Sequence, residues 1–313
     1  MTLRLTVDEN AFRSHVASVA ASTPHLVPVI KGNGYGLGRA RLIELVNELL
    51  PSTTTVAVGT IHEVADIPQR FAVHVMTPVG ELDHVEIPAN VMLTVGSRRD
   101  VDVLARRAWK GRAIVKLASS MRRFGATHDE FAELVQDIAR IGGVVHACAI
   151  HPATAGSDDD RLAEIHAWLP IIPDCVTVSV SHLGPSSLDR RTIEARLGTA
   201  LWHGTKEHFA LRADVMRVEP CHAGETAGYR ASRIEHDGHL VVIGAGSAHG
   251  VTPLANGDSP FHFGRQRVPL VEAPYMHSSL VVIPSGAPLP AVGDLVDVQR
   301  PLTTVHPDII EWQ

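Results

Sequence analysis

The chain has 313 residues, 45% of them hydrophobic and 20% charged, and carries a formal net charge of −6. That length supports one large core, or a large and a small one. The negative balance and 4% aromatic content exclude the basic face and stacking platform on which nucleic-acid binding depends.

The first two-thirds alternates short apolar runs with amphipathic stretches. Strands are predicted at Val27–Lys31, Thr54–Val58, Phe71–Met76, Asn90–Val95, Ala113–Lys116, Val144–Ile150, Val176–Val180 and Ala195–Leu197. Helical spacing falls between them at Ala40–Leu50, Arg98–Trp109, Asp129–Ile141 and Asp160–Trp168, with Thr127 as a start signal for the third. Strands apolar enough to be buried on both faces, alternating with helices, predict a (β/α)8 barrel of the TIM type. An open doubly wound sheet is the alternative on pattern alone. From about His208 helical spacing disappears, and short β-rich runs separated by Gly, Pro, Asn and Asp predict a smaller, mostly β domain. The expected division is residues 1–207 for the barrel and 208–313 for the β domain. Cys148, Cys175 and Cys221 form no CxxC pair, and the scattered histidines fit no zinc spacing, so neither a disulfide framework nor a metal is expected. No apolar run reaches membrane-spanning length and the N-terminus lacks a signal-type apolar stretch, which predicts a soluble cytoplasmic protein.

In a barrel, chemistry collects where strands end. The first strand ends in Lys31, followed by Gly32-Asn33-Gly34-Tyr35-Gly36-Leu37-Gly38. The fifth ends in Lys116 with Arg123 seven residues on, the sixth reaches His151, the seventh Ser181-His182, and the eighth carries Arg196 before Gly198-Thr199. Five strand ends thus offer cationic or hydrogen-bonding groups with almost no carboxylate, which points to an anionic ligand. A lysine in apolar surroundings near other cations loses proton affinity, and its neutral amine attacks an aldehyde. Each residue alone also fits an ordinary role: Lys31 as a solvated strand-end lysine, Arg123 as a surface charge, His151 as a loop histidine.

Taken in order, these segments resemble the alanine racemase family, pyridoxal-phosphate enzymes with a barrel followed by a β domain. Val29–Gly38 is similar to the family's VVKANAYGHG signature. Lys116–Gly125 resembles its K-x-D-T-G-M-x-R-x-G segment, His151–Ala155 its H-F-A-T-A, and Arg196–Trp202 its R-P-G-I-x-L-Y. In the second domain Gly224–Tyr229 resembles G-E-x-V-S-Y, and Tyr275-Met276-His277 aligns with the C-M-D turn.

The resemblance implies that Lys31 carries pyridoxal 5′-phosphate as a Schiff base, and that Tyr35, Gly198 and Thr199 hold its phosphate. Arg123, supported by Lys116, would meet the phenolate oxygen, Arg196 the pyridine nitrogen, and His151 would stack near the ring. Ser181 and His182 stand where the family has an Asn-Ser pair and join the cofactor-binding set. Arg123 and Met276 would contact the substrate. Tyr229 would be a second base supplied by a partner subunit, making the protein a homodimer that racemises a small amino acid. Racemisation needs one proton-transfer group on each face of the α-carbon, and Lys31 and Tyr229 suit those roles. The sequence departs from the family in the Gly244–Gly250 loop, which lacks a tyrosine, in His277, and in reaching Gln313 with no counterpart of the family's C-terminal tyrosine. Three other readings remain at this point: a fold-related amino-acid decarboxylase, against which Arg196 counts; a non-enzymatic pyridoxal-phosphate-binding protein of the single-barrel type, against which the β domain and Tyr229 count; and a cofactor-binding homologue with altered substrate or little turnover.

Overall fold

A computed structural model describes residues 2–80, 82, 85–182 and 193–313 of the chain. Two compact units emerge: Arg13–Gly204, and the residues up to Phe12 together with Thr205–Gln313. Among the described residues, no helix is long and apolar enough to cross a membrane.

The chain begins with β1 (Leu3–Val7) and α1 (Glu9–Ser22). There follow β2 (Leu26–Pro28), α2 (Arg39–Leu49), β3 (Thr55–Val58), β4 (Ala72–Pro78), β5 (Val91–Val95), α3 (Arg98–Arg106), β6 (Arg112–Lys116), α4 (His128–Arg140), β7 (Val144–Ala149), α5 (Asp158–Trp168), β8 (Thr177–Ser181), β9 (Ile193–Leu197) and the short α6 (Thr199–Trp202). Strands β2 to β9 pair in parallel in the order β2-β9-β8-β7-β6-β5-β4-β3. A parallel bridge between Val29 and Ala57, with the Ile30 N–H donating to the Ala57 carbonyl at 2.8 Å, brings the two ends together. This is the predicted (β/α)8 barrel.

The strands form because they are apolar on both faces, as a wrapped parallel sheet requires; all five residues of β5 are buried. The helices cover them with one stripe each. In α4, Phe131, Leu134 and Ile138 are buried, at the spacing that puts them on one face. Glu130 reaches back to the Thr127 N–H at 2.8 Å, satisfying a donor that the first turn leaves open. Inside the barrel, Met92, Ile114, Ala147 and Ala149 pack together with Ala72 against them. Ala149 of this cluster also lines the cavity described below.

The second unit is built from β10 (Phe209–Cys221), β11 (Thr226–Ala227), β12 (Ser232–Arg233), β13 (Gly238–Ile243), β14 (Phe261–Phe263), β15 (Gln266–Arg267), β16 (Ser279–Pro284), β17 (Leu295–Val298) and β18 (Ile309–Trp312). The long β10 pairs antiparallel with β1, β13 and β17. The expected boundary placed the first residues with the barrel. Instead β1 lies between β10 and β18, with Leu3, Leu5 and Val7 wholly buried. Its alternating LRLTV pattern reads as a strand, but its partners are more than two hundred residues away and leave no local signal.

Candidate active site

At the C-terminal ends of the barrel strands lies a cavity of about 280 Å³ lined by Lys31, His74, Met76, Thr94, Lys116, Arg123, Ala149, His151 and Arg196 among others, with no carboxylate in its wall among the described residues. A larger hollow of about 410 Å³ opens at the opposite, N-terminal ends, lined by residues such as Thr23, Thr54 and Glu194 and by no lysine or arginine. The first is where barrel chemistry collects.

Lys31 follows β2 on a loop whose Gly32 and Gly34 sit at φ +64° and +62°, a left-handed turn that glycine adopts without strain. Glu63 ties the loop down, accepting the Gly32 N–H at 3.1 Å and the Gly59 N–H at 2.7 Å. Lys31 is exposed at the cavity mouth. Even so, the barrel packed around it lowers its proton affinity, and Arg123 lowers it further against the opposing pull of Glu63.

Lys116, at the end of β6, is pushed down to about 7 by burial and then by Arg196 and Arg123, with Glu164 opposing. Arg196, only 5% exposed, is brought down to about 10 by burial. Its Nη2 donates to the Ile150 carbonyl at 2.8 Å, while Nη1 has no partner among the described residues. A buried guanidinium nitrogen without an acceptor is costly, and at a cavity wall it marks where a ligand acceptor belongs.

His151 is held from both sides. Its Nδ1 lies 2.7 Å from Ser181 Oγ and its Nε2 lies 3.1 Å from His182 Nε2. Burial, then His182 and three cations, lower His151 to about 3, so it is neutral at physiological pH. His182 is also lowered, by burial and then Arg161, Arg196 and Lys31. Between two neutral imidazoles one nitrogen donates and the other accepts.

Tyr35 is buried at the turn after Lys31, with its own φ at +57°. Its hydroxyl lies so close to Gly198 that a Cβ there would meet it at 1.9 Å. Gly198 caps α6, whose first residue Thr199 is exposed. The Tyr35 hydroxyl, Gly198 and Thr199 therefore form one cradle.

The structure thus brings together Lys31, Arg123, His151 and Arg196 around one cavity, with Ser181 and His182 on His151 and Tyr35 on Gly198. Tyr229 and Met276 belong to the β unit, where they are 90% and 66% exposed. Sequence reasoning missed three residues. His74, 2% exposed, lies in the wall beside Thr94, whose hydroxyl donates to the Val75 carbonyl at 2.6 Å and so accepts from His74 Nε2 at 3.2 Å. Glu63 is the third. The signal for the first two was a polar residue inside an otherwise apolar strand.

Fold and site together define a (β/α)8-barrel protein with a lysine- and arginine-lined pocket at the C-terminal ends of its strands. The sequence profile of the alanine racemase N-terminal domain matches residues 7–204. The alanine racemase of Laribacter hongkongensis is 25% identical over 328 residues, covering 94% of this chain and 88% of that protein. Among solved structures, the alanine racemase of Bartonella henselae with covalently bound pyridoxal phosphate superposes with a TM-score of 0.76 at 20% identity, over 98% of each chain. The biosynthetic alanine racemase of Pseudomonas aeruginosa gives 0.73 at 19% identity, over 100% of this chain and 99% of that one. The chain belongs to the alanine racemase family.

Proposed function

We propose that this protein is a pyridoxal-phosphate-dependent amino-acid racemase, with alanine as the first substrate to test. The observation that carries this reading is the convergence of Lys31, Lys116, Arg123 and Arg196 on one cavity that no carboxylate lines among the described residues. Its volume lies near the lower end of the range for small-ligand sites. The buried, unpartnered Arg196 Nη1 and the tight Tyr35–Gly198 cradle fit a planar ring with an acceptor nitrogen and an anionic tail.

Pyridoxal phosphate supplies an aldehyde that an amine can join and a ring that draws negative charge away from the substrate α-carbon. Lys31, with its proton affinity lowered by burial and Arg123, would supply the amine that holds the cofactor. The Tyr35 hydroxyl, Gly198 and Thr199 would hold the phosphate. Arg123, supported by Lys116, would bind the phenolate oxygen and the substrate carboxylate. Arg196, fixed by the Ile150 carbonyl, would donate to the ring nitrogen and, because a guanidinium keeps its protons, would offer it no proton. His151, anchored by Ser181 and His182, would flank the ring. Lys31 takes or returns the α-proton on one face of the substrate. The Tyr229 hydroxyl of a second subunit serves the other face, with Met276 beside the substrate, in a homodimer.

The test is incubation with L- and D-alanine, and then other amino acids, in heavy water. Deuterium at the α-carbon with loss of optical activity is expected, and borohydride should trap the cofactor on Lys31. Absence of α-proton exchange with any amino acid, cofactor bound, overturns the reading.

A further inference from the structure

Within the β unit, one carboxylate gathers the turn that carries Tyr229. Glu272 Oε1 accepts the Tyr229 N–H at 2.8 Å, and Oε2 accepts the Arg230 N–H at 3.2 Å and the Ser232 hydroxyl at 3.3 Å. The Tyr275 hydroxyl donates to the same carboxylate, and with those other donors holds it below the usual carboxylate range. Gly228, just before Tyr229, sits at φ +82°, and a Cβ there would lie 2.5 Å from the Glu272 carboxyl carbon. The carboxylate is therefore seated directly against the backbone of the turn. The Tyr275 ring meets the Tyr229 ring edge to face, with centroids 4.8 Å apart and planes at 72°. The turn is closed by the pairing of Thr226 with Arg233 and of Ala227 with Ser232.

We infer that Glu272 and Tyr275 are positioning residues for Tyr229: the carboxylate fixes the backbone of residues 228–232, and the Tyr275 ring sets the direction of the exposed phenol. The inference rests on the reading of Tyr229 as the second proton-transfer group. An exposed side chain exchanges rotamers in picoseconds to nanoseconds, and a proton-transfer group is useful only at a fixed approach to the α-carbon. With Tyr229 90% exposed on its own chain, its own unit can restrict it only from beneath and from one side. Glu272 and Tyr275 supply both. Tyr275 is itself held as a donor, since burial and then the Glu272 carboxylate raise its hydroxyl to about 12.

The test separates inversion from exchange. Lys31 alone can exchange the α-proton of one enantiomer with retention, whereas inversion also needs Tyr229. In the holoenzyme, Tyr229→Phe is therefore expected to lose inversion and keep retention exchange. Glu272→Ala and Tyr275→Leu should follow it, inversion falling about tenfold to a hundredfold with retention exchange and cofactor absorbance kept. Tyr275→Phe, which keeps the ring, should lose less. The chain has three tyrosines, so fluorotyrosine labelling gives three ¹⁹F lines. The line that vanishes in Tyr229→Phe should move or broaden in Glu272→Ala while that of Tyr35 stays. Should Glu272→Ala fail to fold, Tyr275→Leu carries both readouts. If Tyr229→Phe loses inversion but neither positioning variant does, or if both positioning variants lose inversion and retention exchange equally, the inference is overturned. Unchanged inversion in Tyr229→Phe overturns the two-base reading itself and this inference with it.

Discussion

Lys116 is half-buried near the charges of Arg196 and Arg123, and its proton affinity falls from the ordinary 10.5 to about 7, first through burial and then through those guanidinium groups. The unfolded chain binds this proton below 10.5 and the folded one only below about 7. Between those values the unfolded state holds more protons, so the stability of the cofactor-free protein rises with pH across that window, and the full penalty is present below it. Lys116→Met is expected to raise the melting temperature of the cofactor-free protein at pH 7 by several degrees and to flatten its rise towards pH 10. Calorimetry at the two pH values checks this, and equal melting curves for both proteins would show that Lys116 is solvated. The cationic strand ends were legible in the sequence because a polar residue after an apolar run coincides with the mouth of a barrel. His74 and Thr94 were not, because a mid-strand position reads as core, and nothing in the sequence period says which mid-strand side chains face a cavity. Glu63 was missed for a different reason: it binds two loop amides across a turn, an arrangement with no sequence period.

The cradle joining the turn after β2 to the start of α6 depends on a missing side chain. A Cβ at Gly198 would lie 1.9 Å from the Tyr35 hydroxyl and 2.6 Å from the ring carbon bearing it. Gly198→Ala should displace Tyr35 and weaken cofactor binding about tenfold or more, since overpacking costs about 1–3 kcal/mol. Adding Tyr35→Phe should recover only part, because the ring carbon still clashes. Titration of the apoprotein with cofactor, followed by absorbance, measures both variants, and unaltered affinity in Gly198→Ala would refute the close packing. Most strand limits were legible: Asn90–Val95 was predicted where Val91–Val95 is found, and Thr54–Val58 where Thr55–Val58 is found. The first barrel strand was drawn too long. Val27–Lys31 reads as one run, but the regular strand stops at Pro28, Val29 adds a single bridge, and the positive-φ glycines turn the chain at Lys31.

On the scale of the molecule, the proposed site divides its proton-transfer groups between the barrel unit, with Lys31, and the β unit, with Tyr229. A two-fold dimer in which each copy completes the other's site makes a specific demand on hybrids. Mixing inactive Lys31→Ala with inactive Tyr229→Phe subunits should restore activity to as much as about a quarter of wild type, since half of the molecules are hybrids with one intact site each. No recovery after mass spectrometry has confirmed subunit exchange would mean that each chain is self-contained.

The placement of β1 between β10 and β18 has a consequence for the order of synthesis. The barrel, Arg13–Gly204, is spliced into the β unit after that unit's first strand. A ribosome therefore releases the whole barrel sequence before β10 appears, and the barrel has its complete set of strands while β1 has no partner. The β unit closes only when Ile309–Trp312 emerges to pair with β1. The turn bearing Tyr229 gains its contacts with Glu272 and Tyr275 only after every strand of the pocket around Lys31 has emerged.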